Sequence, residues 1–203
     1  SFFDVVVGNV PFHNIKVSDR RYDRYNFKIH DYFLAKSLDK VRSGGILAVI
    51  TTKFTMDKEN QSVRKYIAQR AELIGAIRLP ENAFKQVAGT EVTTDILFLK
   101  KREQEIIPDE RNTPWLSVEK DENGIPYNSY FIDLPEMVLG TMAQETGMYG
   151  SHDFVTCKPY PDKTLSELLE EAVGRLHGQY EEPASELSED KDTVIKEWLP
   201  ATP

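Results

Sequence analysis

Four short apolar runs, rich in β-branched residues and spaced by amphipathic segments, constrain this chain more than any other feature. They are "FFDVVVGN" (2–9), "ILAVITT" (46–52), "LIGAIRL" (73–79) and "VTTDILFLKK" (92–101). Runs of this kind, apolar at nearly every position, belong to strands covered on both faces, as in parallel sheets. Between the first two runs, "RRYDRYNFKIHDYF" (20–33) begins with charge and aromatic rings and becomes helical. Ile29, Phe33, Leu34, Leu38 and Val41 recur at helical spacing, and Gly44–Gly45 can supply the left-handed stop. "ENQSVRKYIAQRAE" (59–72) predicts a second amphipathic helix, with Val63, Tyr66 and Ile67 on one side. Strand, helix, strand, helix, strand, strand is the order of an open α/β sheet.

The second half is less regular. "DENGIP" (121–126) reads as a turn, and "LPEMVLGTM" (134–142) as a short helix starting near Pro135. "TGMYGSHD" (146–153) reads as a loop. "KTLSELLEEAVGRLHGQ" (163–179) predicts an amphipathic helix capped by Thr164, with Leu165, Leu168, Leu169, Ala172, Val173 and Leu176 as its stripe. "EEPASELSEDKD" (181–192) is a polar acidic linker, and "TVIKEWLPATP" (193–203) a tail or partner-docking piece. The expected division is an α/β half-domain over 1–102, an acidic, partly helical extension over 103–180, and a linker and tail over 181–203.

Charge follows the same division. The net charge of −8 conceals a basic half and an acidic half. Residues 1–102 hold 18 Lys and Arg against 11 Asp and Glu, a net +7; residues 103–203 hold 7 against 22, a net −15. A basic half can meet nucleic acid even where the whole chain is acidic. One cysteine, Cys157, excludes an internal disulfide and a cysteine-based zinc cluster, and reads as an ordinary thiol in a reducing cytoplasm. His30 beside Asp31 reads as structural, and His152–Asp153 lacks metal-ligand spacing, so no metal is expected. No apolar run approaches the ~20 residues of a membrane helix, so no membrane partner is expected. A chain that opens at once on a strand reads as a piece of a longer polypeptide.

The chemistry-bearing stretch is "DVVVGNVPFHN" (4–14). A buried strand ends at an amide followed by an apolar residue, a proline and an aromatic ring. Strand ends are where open α/β sheets keep their chemistry. The Asn9 side-chain oxygen can accept from an exocyclic amine, and the carbonyl before Pro11 can accept a second bond. The Phe12 ring can stack on a flat base. Such a grip points the amine lone pair outwards, with no general base required.

Asn9-Val10-Pro11-Phe12 resembles the Asn-Pro-Pro-Phe/Tyr motif of the S-adenosylmethionine-dependent N6-adenine DNA methyltransferases. The resemblance continues through "NFKIHDYFLAKSLDKVRSGGILAVITT", "LIGAIRLPENAF" and "AGTEVTTDILFLKKR". It is strongest for the methylase regions of helicase-methylase polypeptides of bacterial mobile elements, covering residues 2–102 well and about 127–180 loosely. It implies a partial Rossmann-like methyltransferase sheet with a mixed α extension. Asn9 and the Val10 carbonyl would hold the target amine, Pro11 would fix the turn, and Phe12 would stack on a flipped adenine. Asn9 would also border the S-adenosylmethionine methyl group, which transfers in line to nitrogen.

Two departures qualify the resemblance. Val10 replaces the family's first proline, which leaves the carbonyl available but the turn less rigid. The family's aromatic-x-Gly-x-Gly cofactor loop is not found in this chain, so the expectation is the C-terminal half of a methyltransferase domain, inactive alone. The remainder of a larger polypeptide would supply that loop. The first strand would be central in the complete sheet. In this chain it would leave an apolar edge, covered by the tail, by a second copy in a homodimer, or bordered by disorder.

Lys16, Arg20, Arg21, Arg24 and Lys28, interleaved with Tyr22 and Tyr25, are the candidate contacts to double-stranded DNA, expected beside the Asn9 turn. Lys53, at the end of the second strand with Thr52, joins them. Two alternatives stay open: a protein glutamine methyltransferase, whose motif is similar, and a non-catalytic DNA or protein interaction domain.

Overall fold

The computed structural model describes residues 2–12, 15, 17–85, 92–146 and 154–178. Strand β1 (Phe3–Asn9) is followed by helix α1 (Ile29–Leu38), β2 (Val41–Thr52), the one-turn helix α2 (Phe54–Asp57), α3 (Ser62–Arg70), β3 (Ala71–Leu79) and β4 (Thr94–Lys101). These four strands form one sheet in the order β1-β2-β4-β3. β1 runs parallel to β2, and β4 runs antiparallel to both β2 and β3. The α/β expectation holds, as a mixed sheet.

One face of the sheet carries the core. Leu47, Val49, Leu97 and Leu99 from the central strands are buried with Leu34 and Leu38 of α1 and with Val63, Tyr66 and Ile67 of α3. The helices are therefore crossovers packed on one face, and β1, β2 and β3 end, and β4 begins, at the side of the sheet that carries Asn9 and Thr52. Asn9 pairs with Ile50, and Thr52 with Thr94.

The first helix departs from expectation at its end. α1 stops at Leu38, where the Asp39 N–H bonds the Ala35 carbonyl, and Val41 already belongs to β2. Gly44 and Gly45 serve a bulge and not a helix stop. Between the pairs Phe3–Val41 and Val5–Ile46, β2 places four residues against one on β1. Gly44 takes φ +74 there, and a Cβ on Gly45 would lie 2.6 Å from the Asp4 carbonyl oxygen. Phe33 is 39% exposed despite its spacing.

The extension does not fold apart from the sheet. It forms two hairpins, β5 (Val118–Lys120) with β6 (Pro126–Asn128), and β7 (Gly140–Glu145) with β8 (Phe154–Pro159). Helices α4 (Ser129–Asp133) and α5 (Leu165–Gly174) accompany them. "DENGIP" is the turn between β5 and β6, with Gly124 at φ +79. The expected helix at Pro135 is one 3-10 turn, Pro135–Met137. α5 opens with a capping box, in which Thr164 and Glu167 each accept from the other's backbone. Trp115, Leu116, Phe131, Leu139, Cys157 and Ala172 join the same buried cluster as the sheet.

The two edges of the sheet differ. Along β3, the Ala76 N–H donates to the Tyr130 hydroxyl at 3.1 Å, and the Leu139 N–H donates to the Arg78 carbonyl at 2.9 Å. Along β1, no described strand pairs on the outer side, and Val7 is 76% exposed. The apolar edge expected at β1 is present among the described residues. The tail over 181–203, one of the expected covers beside a second copy and bordering disorder, lies outside them.

Candidate nucleic-acid interface at the Asn9 turn

β1 ends on Asn9, which is exposed, and the chain leaves the sheet through Val10. The Val10 N–H donates to the Ile50 carbonyl at 3.0 Å, and the Val10 side chain is buried. The residue that replaces the expected proline is thus fixed by a backbone bond and by packing, which restores rigidity that proline would have given. Pro11 is half-buried and Phe12 is exposed at 37%. The amide, the carbonyl-bearing turn and an accessible ring are therefore presented together at one strand end.

Beneath the turn lies a buried polar network. Thr51 Oγ1 is 2.9 Å from Thr55 Oγ1, and the Thr55 hydroxyl donates to Asp31 Oδ1 at 3.4 Å. His30 Nε2 is 3.4 Å from the same carboxylate oxygen. Burial pushes the Asp31 carboxyl up and the His30 imidazole down, and Lys58 and Lys28 add their positive field to the histidine. This ties the start of α1 to the end of β2 and supports the structural reading of His30.

Lys53 and Phe54 close the end of β2. The Lys53 N–H bonds the Thr93 carbonyl, and its ammonium sits 4.5 Å from the Phe54 ring centroid. Burial lowers the Lys53 pKa, against the pull of Asp57. Lys28 is exposed at the start of α1. Lys28 and Lys53 therefore border the Asn9 end of the sheet.

The remaining basic-aromatic residues do not collect at the Asn9 turn. Arg21 Nη2 lies 3.1 Å from Asp39 Oδ2, and the Tyr22 hydroxyl donates to the same carboxylate. Asp39 follows the C-terminus of α1 and is 3.7 Å from Lys101, the last residue of β4. Because β4 runs antiparallel to β2, that end of β4 lies at the start of β1 and β2. Arg21 thus stands about a strand's length, roughly 20 Å, from Asn9. Tyr22 is buried against Tyr32, and Tyr25 is stacked on Phe27 and edge-on to Tyr66. The expectation that these two rings are open to bases is corrected, because core packing already occupies them. Arg20 and Arg24 are exposed, and Arg24 lies 4.6 Å from the Tyr25 ring centroid. Lys16, His13 and the pair His152–Asp153 lie outside the described residues.

Phe54 and Lys58 are absent from the set of candidates that the sequence offers. The text "TTKFTMDK" ends an apolar run with cations around an aromatic, which was signal enough to include both. Cys157 is fully buried, and burial pushes its thiol up to about 12, which suits an inert core position. Among the described residues, no cluster of three or more His, Cys, Asp or Glu side chains is placed to hold a metal, and no helix is long and apolar enough to cross a membrane.

Comparison with known proteins gives partial matches. A model of the Eco57I restriction-modification methylase family matches residues 1–84. The defense against restriction protein B of Escherichia phage P1 is 33% identical over 108 residues, which are 51% of this chain and 5% of that protein. This chain therefore spans a small fraction of that relative's length. Among solved structures, a Listeria monocytogenes protein assigned to the class I S-adenosylmethionine-dependent methyltransferases aligns at 21% identity, over 54% of this chain and 35% of that one, with TM-score 0.40. The M protein of the type I restriction enzyme EcoKI aligns at 19% identity, over 49% of this chain and 21% of that one, with TM-score 0.39.

Proposed function

We propose that this chain is the target-base half of a DNA adenine-N6 methyltransferase. The observation that carries the reading is the Asn9 turn: an exposed amide at a strand end, followed by a residue whose N–H is fixed on Ile50 and by an accessible Phe12 ring. The match of residues 1–84 to a restriction-modification methylase family supports it independently. Asn9 Oδ1 and the Val10 carbonyl accept the two amine hydrogens of an adenine rotated out of the duplex, and Phe12 stacks on its ring. The nitrogen lone pair then faces away from the turn, toward a methyl donor. Lys28 and Lys53, which border the turn, engage phosphates.

The methyl donor of such a reaction is S-adenosylmethionine, and the described residues fit it only at its edge. Asn9 borders the place of transfer. Among the described residues, no strand-to-helix turn is glycine-rich, and the acidic side chain on β1, Asp4, is paired with Arg42 at 2.6 Å. The rest of the cofactor site belongs to a further part of a larger polypeptide, which docks on the outer, apolar flank of β1 at Val5 and Val7. A second copy of the chain is the competing occupant of that edge. The reading as a non-catalytic interaction domain draws on the same lack of a cofactor cradle.

Calorimetric titration with S-adenosylmethionine tests the division of labour. The chain alone is expected to give no binding heat and no methyl transfer. Joined to a polypeptide that carries the cofactor loop, it is expected to place methyl groups on adenine N6 in duplex DNA, and Asn9→Ala to abolish this. Micromolar binding by the isolated chain would overturn the half-site reading. Methylation of peptide glutamine and not DNA by the joined protein would overturn the substrate.

A further inference from the structure

The short helix α2 holds one aromatic ring in solvent while the rest of it is locked into the core. Thr55 and Met56 are buried, and Asp57 Oδ1 accepts from Arg78 at 2.8 Å. Helix α2 is held from three directions, twice through its backbone carbonyls and once through a side chain. Arg64 Nη1 donates to the Thr55 carbonyl at 3.3 Å, Asn128 Nδ2 donates to the Met56 carbonyl at 2.7 Å, and the Thr51 and Thr55 hydroxyls bond each other. Phe54 alone points outwards, 56% exposed. A large ring in water forgoes apolar burial, so a rigid support that keeps it there asks for a ligand. The ring lies at the end of β2, next to the strand end that carries Asn9, with the Lys53 ammonium 4.5 Å from its centroid.

We infer that Phe54 is a stacking platform for an unpaired nucleobase, distinct from the base gripped at Asn9, with Lys53 taking the adjoining phosphate. The inference rests on the nucleic-acid reading of the Asn9 turn. An opened duplex has more than one unstacked base, and the site offers two rings on neighbouring strand ends: Phe12 for the gripped base and Phe54 for its neighbour. Aromatic platforms accept any base, because every base has a flat face. Lys53 adds attraction and no sequence preference. The cation beside the ring is the second element of such a site, since base stacking and phosphate neutralisation occur together in single-strand grooves.

The test uses the whole chain and a fluorescent single-stranded oligonucleotide carrying 5-iodouracil, read by anisotropy and by photo-cross-linking with peptide mass spectrometry. A cross-link at Phe54 is expected. Phe54→Ala and Phe54→Leu are each expected to weaken binding by about 5- to 100-fold, while Phe54→Trp stays within threefold of the parent. Lys53→Gln is expected to reduce the slope of log affinity against log salt by about 0.7. Because Phe54 is exposed, the melting curves of its variants should superimpose on the parent's. Loss of affinity in the alanine but not the leucine variant would mean plain apolar contact and would overturn the stacking role. Unchanged affinity in both, with cross-links at Phe12 only, would overturn Phe54 and leave the Asn9 reading intact. Failure of the parent chain to bind any nucleic acid would remove the Asn9 reading and this one with it.

Discussion

Arg78 lies directly across the β3–β4 ladder from Asp95 and grips it twice, Nε to Oδ1 at 2.8 Å and Nη2 to Oδ2 at 2.9 Å. Both side chains are fully buried, and Asp57 of α2 joins at 2.8 Å. Burial opposes the Arg78 charge, but Asp57 and Asp95 outweigh it and raise its pKa. Burial pushes the Asp95 carboxyl up in turn. The two-point geometry is that of an ion pair, so we read both groups as charged. Arg78 also lies 4.3 Å from the Phe131 ring centroid, and Asp57 accepts the Asn128 N–H at 3.1 Å. One cluster thus joins the sheet, the helix that carries Phe54, and the extension. Arg78→Ala strands two buried carboxylates and is expected to cost about 3–5 kcal/mol in urea unfolding. The double variant Arg78→Met with Asp95→Leu, which removes charge from both sides, is expected to cost less than Arg78→Ala alone.

The placement of Arg21 makes a second prediction about DNA. Its guanidinium is engaged by Asp39 at the far end of α1 from the Asn9 turn. Arg21→Ala is expected to leave duplex affinity within twofold. Lys28→Ala is expected to weaken binding equally for all sequences and to lower the salt slope by about 1. A drop in affinity for Arg21→Ala equal to that for Lys28→Ala would place the interface along the whole of α1.

The outer flank of β1 makes a third. Val7 is 76% exposed and Val5 is 50% exposed, on a strand with no described partner on that side. A flat apolar edge invites pairing with other chains. Val7→Lys is expected to reduce concentration-dependent self-association in sedimentation velocity and to change the melting temperature by no more than about 2 °C. A melting temperature lowered well beyond that would show that Val7 packs against a part of the chain outside the described residues.

Why some of this was legible in the sequence and some was not follows from the range of the interactions. The four strands declared themselves because each is a local run of β-branched residues, and the Thr164 cap because a capping side chain acts within its own turn. The shape of the Asn9 turn, a strand end followed by a buried Val10 and an exposed ring, was legible because its residues are contiguous. The route of residues 19–27 was not. Arg21 is placed by Asp39, and Tyr25 by Tyr66, and no local pattern distinguishes a ring that will pack on a helix from one left for a base. Gly44 and Gly45 misled for a related reason: glycine supplies a positive φ to a bulge as readily as to a helix end, and only pairing with β1 decides. The docking of the extension rests on Arg78, Asp95, Asp57 and Asn128, up to 71 residues apart.

The close approach of β7 to β8 supplies a fourth prediction. A Cβ on Gly140 would lie 2.2 Å from the Lys158 carbonyl oxygen and 2.8 Å from Cys157 Sγ. Backbone on one side and a buried sulfur on the other leave nothing that can swing aside. Gly140→Ala is expected to destabilise by about 1–3 kcal/mol in urea, measured by far-ultraviolet circular dichroism.

The same hairpin is fastened to the sheet by a group that titrates in acid. Glu81 follows β3. Its carboxylate accepts from Lys158 Nζ at 2.8 Å and from the Thr156 hydroxyl at 2.5 Å, and its N–H donates to the Cys157 carbonyl at 2.8 Å. Partial burial raises the carboxyl pKa, but the bonds from Lys158 and Thr156 outweigh it and hold the group below its ordinary 4.5. A carboxyl with a depressed folded pKa stabilises the fold above its unfolded value and loses that contribution as pH falls through the folded one. The parent chain is therefore expected to exceed Glu81→Gln in stability by about 1–2 kcal/mol at pH 7, with the gap closing below pH 4.5. Lys158 also meets Glu145 at 2.7 Å, so Lys158→Met should reproduce most of the neutral-pH loss. Urea unfolding of the three proteins at pH 7, 5 and 3.5 measures this. A gap that persists unchanged at the lowest pH would assign the effect to packing of the hairpin and not to the charge on Glu81.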